Sequence, residues 1–146
     1  SAPTSQLDPF LLSYLARAYI QTFRLVADRR RTASNPLLTN IIARTDKLVS
    51  LLTLSAQRAL STPASAAAAA STTVPSVGRS AILGRNLSAT LSYVAIRGAD
   101  KFEDPLSGQK LDPVRTLYRF MDRVDREKSN TLVRKVEPLL QSYSSL

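Results

Sequence analysis

Carboxylates within one turn of each other are the first candidates for acid–base or metal chemistry. This chain has two such sets: Asp100, Glu103 and Asp104, and then Asp122 with Asp125. The first lacks the loop pattern of a calcium site, where oxygen ligands recur at alternate positions around a glycine, and reads as an acidic turn. The second interleaves with Arg119, Arg123 and Arg126. Asp122 and Arg126 stand at i,i+4, the spacing of a solvated helical ion pair. GRSAILGR, residues 78–85, has two glycines without the Lys-Ser/Thr ending or the spacing of a phosphate loop.

Histidine and cysteine are both absent. A serine nucleophile therefore has no imidazole to activate it, zinc sites of the Cys/His type cannot form, and there are no disulfides. The expectation is a protein that is not an enzyme and uses neither cofactor nor metal.

What remains is the chemistry of charge. Twenty Lys/Arg against eleven Asp/Glu give a net charge of +9, and fifteen of the cations are arginine. Residues 1–99 hold eleven cations and three acids, whereas residues 100–146 hold nine and eight. A guanidinium is a planar fork matched to phosphate or carboxylate, and solubility alone does not call for such one-sided charge. The stretch ADRRRTASNPLL, residues 27–38, concentrates three of these forks at Arg29, Arg30 and Arg31.

Helices must position these side chains. Asp-Pro or Asn-Pro recurs in LDPF (7–10), SNPL (34–37), EDPL (103–106) and LDPV (111–114). A capping side chain followed by a ring with preset φ is a helix-start signal. EDPL reads instead as a turn, because Gly108 follows closely. A first helix is predicted from about Pro9 to Arg31, with Leu11, Leu12, Leu15, Tyr19, Phe23 and Val26 inward. Arg17, Arg24 and Arg31, seven apart, then fall opposite. Cations in the last turn suit the helix dipole, which accounts for part of the triplet but not all of it.

A second helix, from about Pro36 to Leu60, buries Leu38, Ile41, Ile42, Thr45, Leu48, Val49, Leu52 and Ala56. Arg44, Lys47 and Arg58 lie outside, with Leu51 and Leu54 among them as candidates for a second contact, whether with another helix, a loop or another subunit. Residues 61–77, STPASAAAAASTTVPSV, read as a flexible arm that orders on a partner. A third helix, about Arg79–Arg97, uses Leu83, Leu87, Leu91 and Val94, carries Arg79, Arg85 and Arg97, and stops at Gly98. The last begins at Asp112-Pro113 with Val114, Leu117, Met121 and Val124 inward, and Ser129-Asn130 and Pro138 are candidate breaks. No strand periodicity is visible. The chain reads as one all-α domain, residues 1–146, a bundle of about four main helices.

Leu117-Tyr118-Arg119 resembles the triplet of the mitochondrial LYR family of small helical accessory proteins. There it stands near the chain start, whereas here it stands near the end, so nothing is carried over from it. No apolar run approaches the roughly 20 residues that span a bilayer. The first ten residues lack the basic start and apolar core of a cleavable secretory signal, and a first residue of Ser fits loss of an initiator Met or of a transit peptide.

The expected site is a basic wall of Arg17, Arg24, Arg29, Arg30, Arg31, Arg44, Lys47, Arg58, Arg79, Arg85 and Arg97. It would engage the RNA or DNA backbone by charge-assisted bonds and counterion release. No aromatic platform alternates with these cations, so base reading is not expected. The expected function is the coat subunit of a helical or rod-like nucleoprotein, in a virion or inside a cell. Leu51, Leu54, Leu139 and Leu140 are the candidates for association with copies of itself. The alternative is an accessory subunit of a large organellar complex, mitochondrial for instance, with acidic protein subunits as partners.

Overall fold

The two Asp-Pro caps that flank the bundle act as their chemistry requires. Asp8 Oδ1 accepts the Phe10 N–H at 3.0 Å, and the Asp8 carbonyl accepts the Leu12 N–H at 3.0 Å. This starts α1, Pro9–Arg29. Asp112 Oδ1 accepts the Arg115 N–H at 3.2 Å and the Asp112 carbonyl the Thr116 N–H at 3.1 Å, which starts α4, Pro113–Ser144. Between them lie α2, Pro36–Ser61, and α3, Val77–Arg97. The computed structural model describes residues 8–29, 36–62 and 77–144. The expected arm at 61–77 falls mostly outside the described residues, as do Arg30 and Arg31.

Gly98, at φ +100°, ends α3, and its N–H reaches the Val94 carbonyl at 2.8 Å. A short 3-10 turn, Ala99–Lys101, follows. EDPL is a turn, as expected: Asp104 Oδ1 accepts the N–H groups of Leu106 and Ser107, and Gly108 adopts φ +72°. Side-chain capping of these amides holds the Asp104 carboxyl below the usual carboxylate range, the Leu106 bond being the main cause.

α1 packs on α2 and on α3, and α4 packs on the same two helices. Hence α1 and α4 take opposite corners of a four-helix bundle, and α2 and α3 take the other two. Leu12 and Ala16 share a core cluster with Leu52 and Ala56, whereas Ile20 and Phe23 share one with Ile41 and Val49. So α1 and α2 run antiparallel. Ser13 meets Asn86 and Phe23 meets Tyr93, so α1 and α3 run parallel. α2 therefore ends, and α3 begins, at the same end of the bundle but at opposite corners.

Three details differ from the sequence expectation, one being that Val114, expected inward on α4, is 37% exposed. The buried face of α1 is Leu12, Ser13, Ala16, Ile20 and Phe23, while Leu11 is 55% and Leu15 38% exposed. The small Ser13 and Ala16 let α1 approach its neighbours closely, which a face built on Leu11 and Leu15 would prevent. In α4, Ser129-Asn130 and Pro138 break nothing; the helix continues through all three for 32 residues. Elsewhere the interior is mixed apolar and small polar. Thr45, Thr53 and Thr90 are buried, and each hydroxyl donates to the carbonyl four residues back at 2.6–2.8 Å, so no partner helix has to satisfy them.

Candidate functional site

The expected basic residues separate into those that the fold uses internally and those left at the surface. Arg97 belongs to the first group. Its Nη2 lies 2.8 Å from Asp46 Oδ2, its Nε 3.2 Å from both carboxylate oxygens, and the Tyr93 hydroxyl donates to Asp46 Oδ1 at 2.6 Å. This three-residue knot joins α2 to α3 across the diagonal. Burial, reinforced by the bond to Asp46, pushes the Tyr93 phenol well above its ordinary value, with Arg97 opposing part of the rise. The bond to Asp46 raises Arg97 further above an already high value. Arg97 is therefore a neutralised structural cation and not part of an anion-seeking wall.

Arg17 is half drawn in as well. Its Nη1 donates to Asn86 Oδ1 at 3.4 Å, and Asn86, almost fully buried, donates to Ser13 Oγ at 3.2 Å. This bond places Arg17 on the side of α1 that faces α3. Arg24, seven residues on, shares that side and is exposed, as is Arg85 on α3.

Arg44, Lys47 and Arg58 are exposed on α2. At about 100° per residue they fall within an arc of about 60°, opposite the buried Ile41, Thr45, Val49, Leu52 and Ala56. Asp46 is the sole acid in α2, and its carboxylate is taken up by Tyr93 and Arg97. The outer face of α2 is thereby left cationic. Because α2 and α3 stand at opposite corners, Arg44, Lys47 and Arg58 point away from Arg85. Among the described residues, Arg44, Lys47 and Arg58 therefore share no face with Arg85. Arg29 ends α1 and Arg79 lies in the first turn of α3, but their side chains, like Arg30 and Arg31, lie outside the described residues.

Of the expected self-association residues, Leu51 packs against the core cluster and Leu54 is half-buried. Leu139 and Leu140 are 61% and 63% exposed on α4. Sequence reasoning missed the Asp46–Tyr93–Arg97 knot. Its signal was a lone acid in a basic helix, with Tyr93 and Arg97 at i,i+4 on another. It also missed Arg123, which is drawn against the end of α2, its Nη1 2.6 Å from the Ala59 carbonyl and its Nη2 2.9 Å from that of Thr62.

Among the described residues there is no group of acids, histidines or cysteines that could hold a metal ion, and no helix is long and apolar enough to cross a membrane. Comparison with known protein families, curated proteins and solved structures gave no match.

Proposed function

We propose that this chain is a non-enzymatic structural protein that binds nucleic-acid phosphates without reading sequence, as the coat subunit of a helical or rod-like nucleoprotein. The observation that carries the reading is the outer face of α2. Its acid is turned to Arg97 and Tyr93, and its cations Arg44, Lys47 and Arg58 remain at the surface. Such a row meets a phosphate backbone by charge and by counterion release, with no groove-reading element.

Filter binding of unrelated single-stranded RNAs over a salt series tests this reading. Each phosphate contact contributes about 0.7 to the slope of log K against log salt, so replacing Arg44, Lys47 and Arg58 with Gln should flatten it by about 2. An unchanged slope would remove α2 from the interface. The second reading, an accessory subunit of a large organellar complex, is favoured by the exposed apolar side chains Leu11, Tyr14 and Leu25 on α1. On that reading the same cations meet acidic protein, and heterologous RNA is not retained even at low salt.

A further inference from the structure

We infer that Asn40 is a positioning residue for phosphate, holding the guanidinium of Arg44 on the outer face of α2 without cancelling its charge. The inference deepens the phosphate-binding reading above and rests on it.

The cations of this fold divide by the kind of oxygen that holds them. Arg97, Lys110, Arg123 and Arg126 each meet a carboxylate at 2.8–3.9 Å, from Asp46, Glu103, Glu127 and Asp122 respectively. Within each pair the formal charges cancel. Arg44 is held differently: its Nε donates to Asn40 Oδ1 at 3.2 Å, one turn back on the same helix. An amide oxygen is a neutral acceptor, so it orients the donor and leaves the positive charge whole. Among the described residues no carboxylate pairs with Arg44. Asp46, the sole acid of α2, lies about 160° around the helix from Arg44, and Tyr93 and Arg97 occupy it. Arg17 also has an amide partner, Asn86 at 3.4 Å, but that bond is drawn into the contact between α1 and α3.

The bond leaves a usable edge. A guanidinium is a rigid fork of five N–H groups. With Nε–H taken by Asn40, the end formed by Nη1 and Nη2 remains for two oxygens of one phosphate, the bidentate arrangement. Asn40, Arg44 and Lys47 are all exposed, and at 100° per residue they fall within an arc of about 60°. Lys47, about 4.5 Å further along the axis, adds a point charge beside the fork. A long side chain ordinarily loses rotamer freedom when it binds. Asn40 removes part of that loss before the phosphate arrives.

Fluorescence anisotropy of a labelled oligouridylate, short enough for one copy of the full chain, tests this over a salt series. Asn40→Ala keeps every charge and stays exposed, so it should not melt below wild type. Its affinity should fall about twofold, the strength of one exposed i,i+4 hydrogen bond. The slope of log K against log salt should stay that of wild type, because no cation is lost. Arg44→Lys keeps the charge without the fork, and adding Asn40→Ala to it should cost nothing further. Wild-type affinity in Asn40→Ala, or losses that add in the double variant, would overturn the inference. A readout without RNA is the Arg44 Nε–H resonance, identified by its absence from Arg44→Lys. It should exchange with water faster in Asn40→Ala than in wild type, and equal rates would also overturn the inference. A slope that survives Gln at Arg44, Lys47 and Arg58 together would remove the phosphate-binding reading itself. A slope that flattens while Asn40→Ala changes nothing would leave that reading standing and remove only the role of Asn40.

Discussion

The Tyr93 hydroxyl donates to Asp46 Oδ1 at 2.6 Å, a direct bond between helices at opposite corners of the bundle. Tyr93 also packs edge-on against Phe23, with centroids 5.3 Å apart, and near Phe102. An aromatic ring thus fills the second core cluster while its polar tip reaches a carboxylate at the edge. Burial and that carboxylate both favour the neutral phenol.

Stability should therefore fall in alkali. An unfolded tyrosine ionises near pH 10, while the folded one keeps its proton to higher pH. Between those limits the folded state binds more protons, so stability declines with pH at up to about 1.4 kcal/mol per unit. Below about pH 10 the contribution is complete. Urea unfolding on either side of that pH should show wild type losing more than Tyr93→Phe. Parallel losses in the two proteins would refute the assignment.

Asp46→Asn tests the ionic half of the same knot. The amide cannot match the charge of Arg97, whose side chain is 28% exposed. Charged hydrogen bonds contribute about 1.5–3 kcal/mol when buried; solvent screening at this site reduces the expected loss to about 1–2 kcal/mol. Thermal unfolding should shift down by roughly 2–8 °C for a chain of this size. Arg97→Lys should also lose stability, because an ammonium does not span both carboxylate oxygens as the guanidinium does. Melting of Asp46→Asn together with wild type would show that the pair contributes nothing.

The face of α1 gives a direct comparison between neighbours in sequence. Leu12 is 4% exposed within the first core cluster, and Leu11 is 55% exposed. Leu12→Ala should cost about 2–5 kcal/mol in chemical denaturation. Leu11→Ala in dilute, monomeric protein should stay within about 0.5 kcal/mol. The reverse order would restore the face read from leucine spacing.

That misassignment shows what was legible and what was not. Asp8-Pro9, Asp112-Pro113, Gly98 and the Asp104 turn acted as their local chemistry dictates, because capping depends on the nearest few residues. Faces depend on neighbours. α1 carries large apolar residues on two sides, so periodicity alone favoured Leu11 and Leu15, whereas close packing selected Ser13 and Ala16. α2 has one dominant apolar stripe, and there the sequence expectation for Ile41, Thr45, Val49, Leu52 and Ala56 agrees with burial. The basic residues were visible as types, yet their grouping was not. Whether Arg97 faces solvent or Asp46 depends on which helices share a diagonal, and no single helix encodes that.

Arg123 makes the last prediction, since it acts on a helix other than its own. Its side chain, 15% exposed, donates to the Ala59 and Thr62 carbonyls and approaches Glu127 Oε1 at 3.3 Å. Carbonyls in the last turn of a helix have no partner along the chain, and here a guanidinium from α4 supplies two donors and a favourable charge. Arg123→Met keeps much of the packing volume and removes every donor. The expected loss is about 1–3 kcal/mol, concentrated at one place. Amide exchange at Ala59–Thr62 should accelerate relative to the middle of α2, and Arg123→Lys should restore little of the protection because one ammonium cannot reproduce the fork. Uniform acceleration along α2 would mean that Arg123 supports the bundle as a whole. Unchanged exchange would mean that water caps α2 equally well.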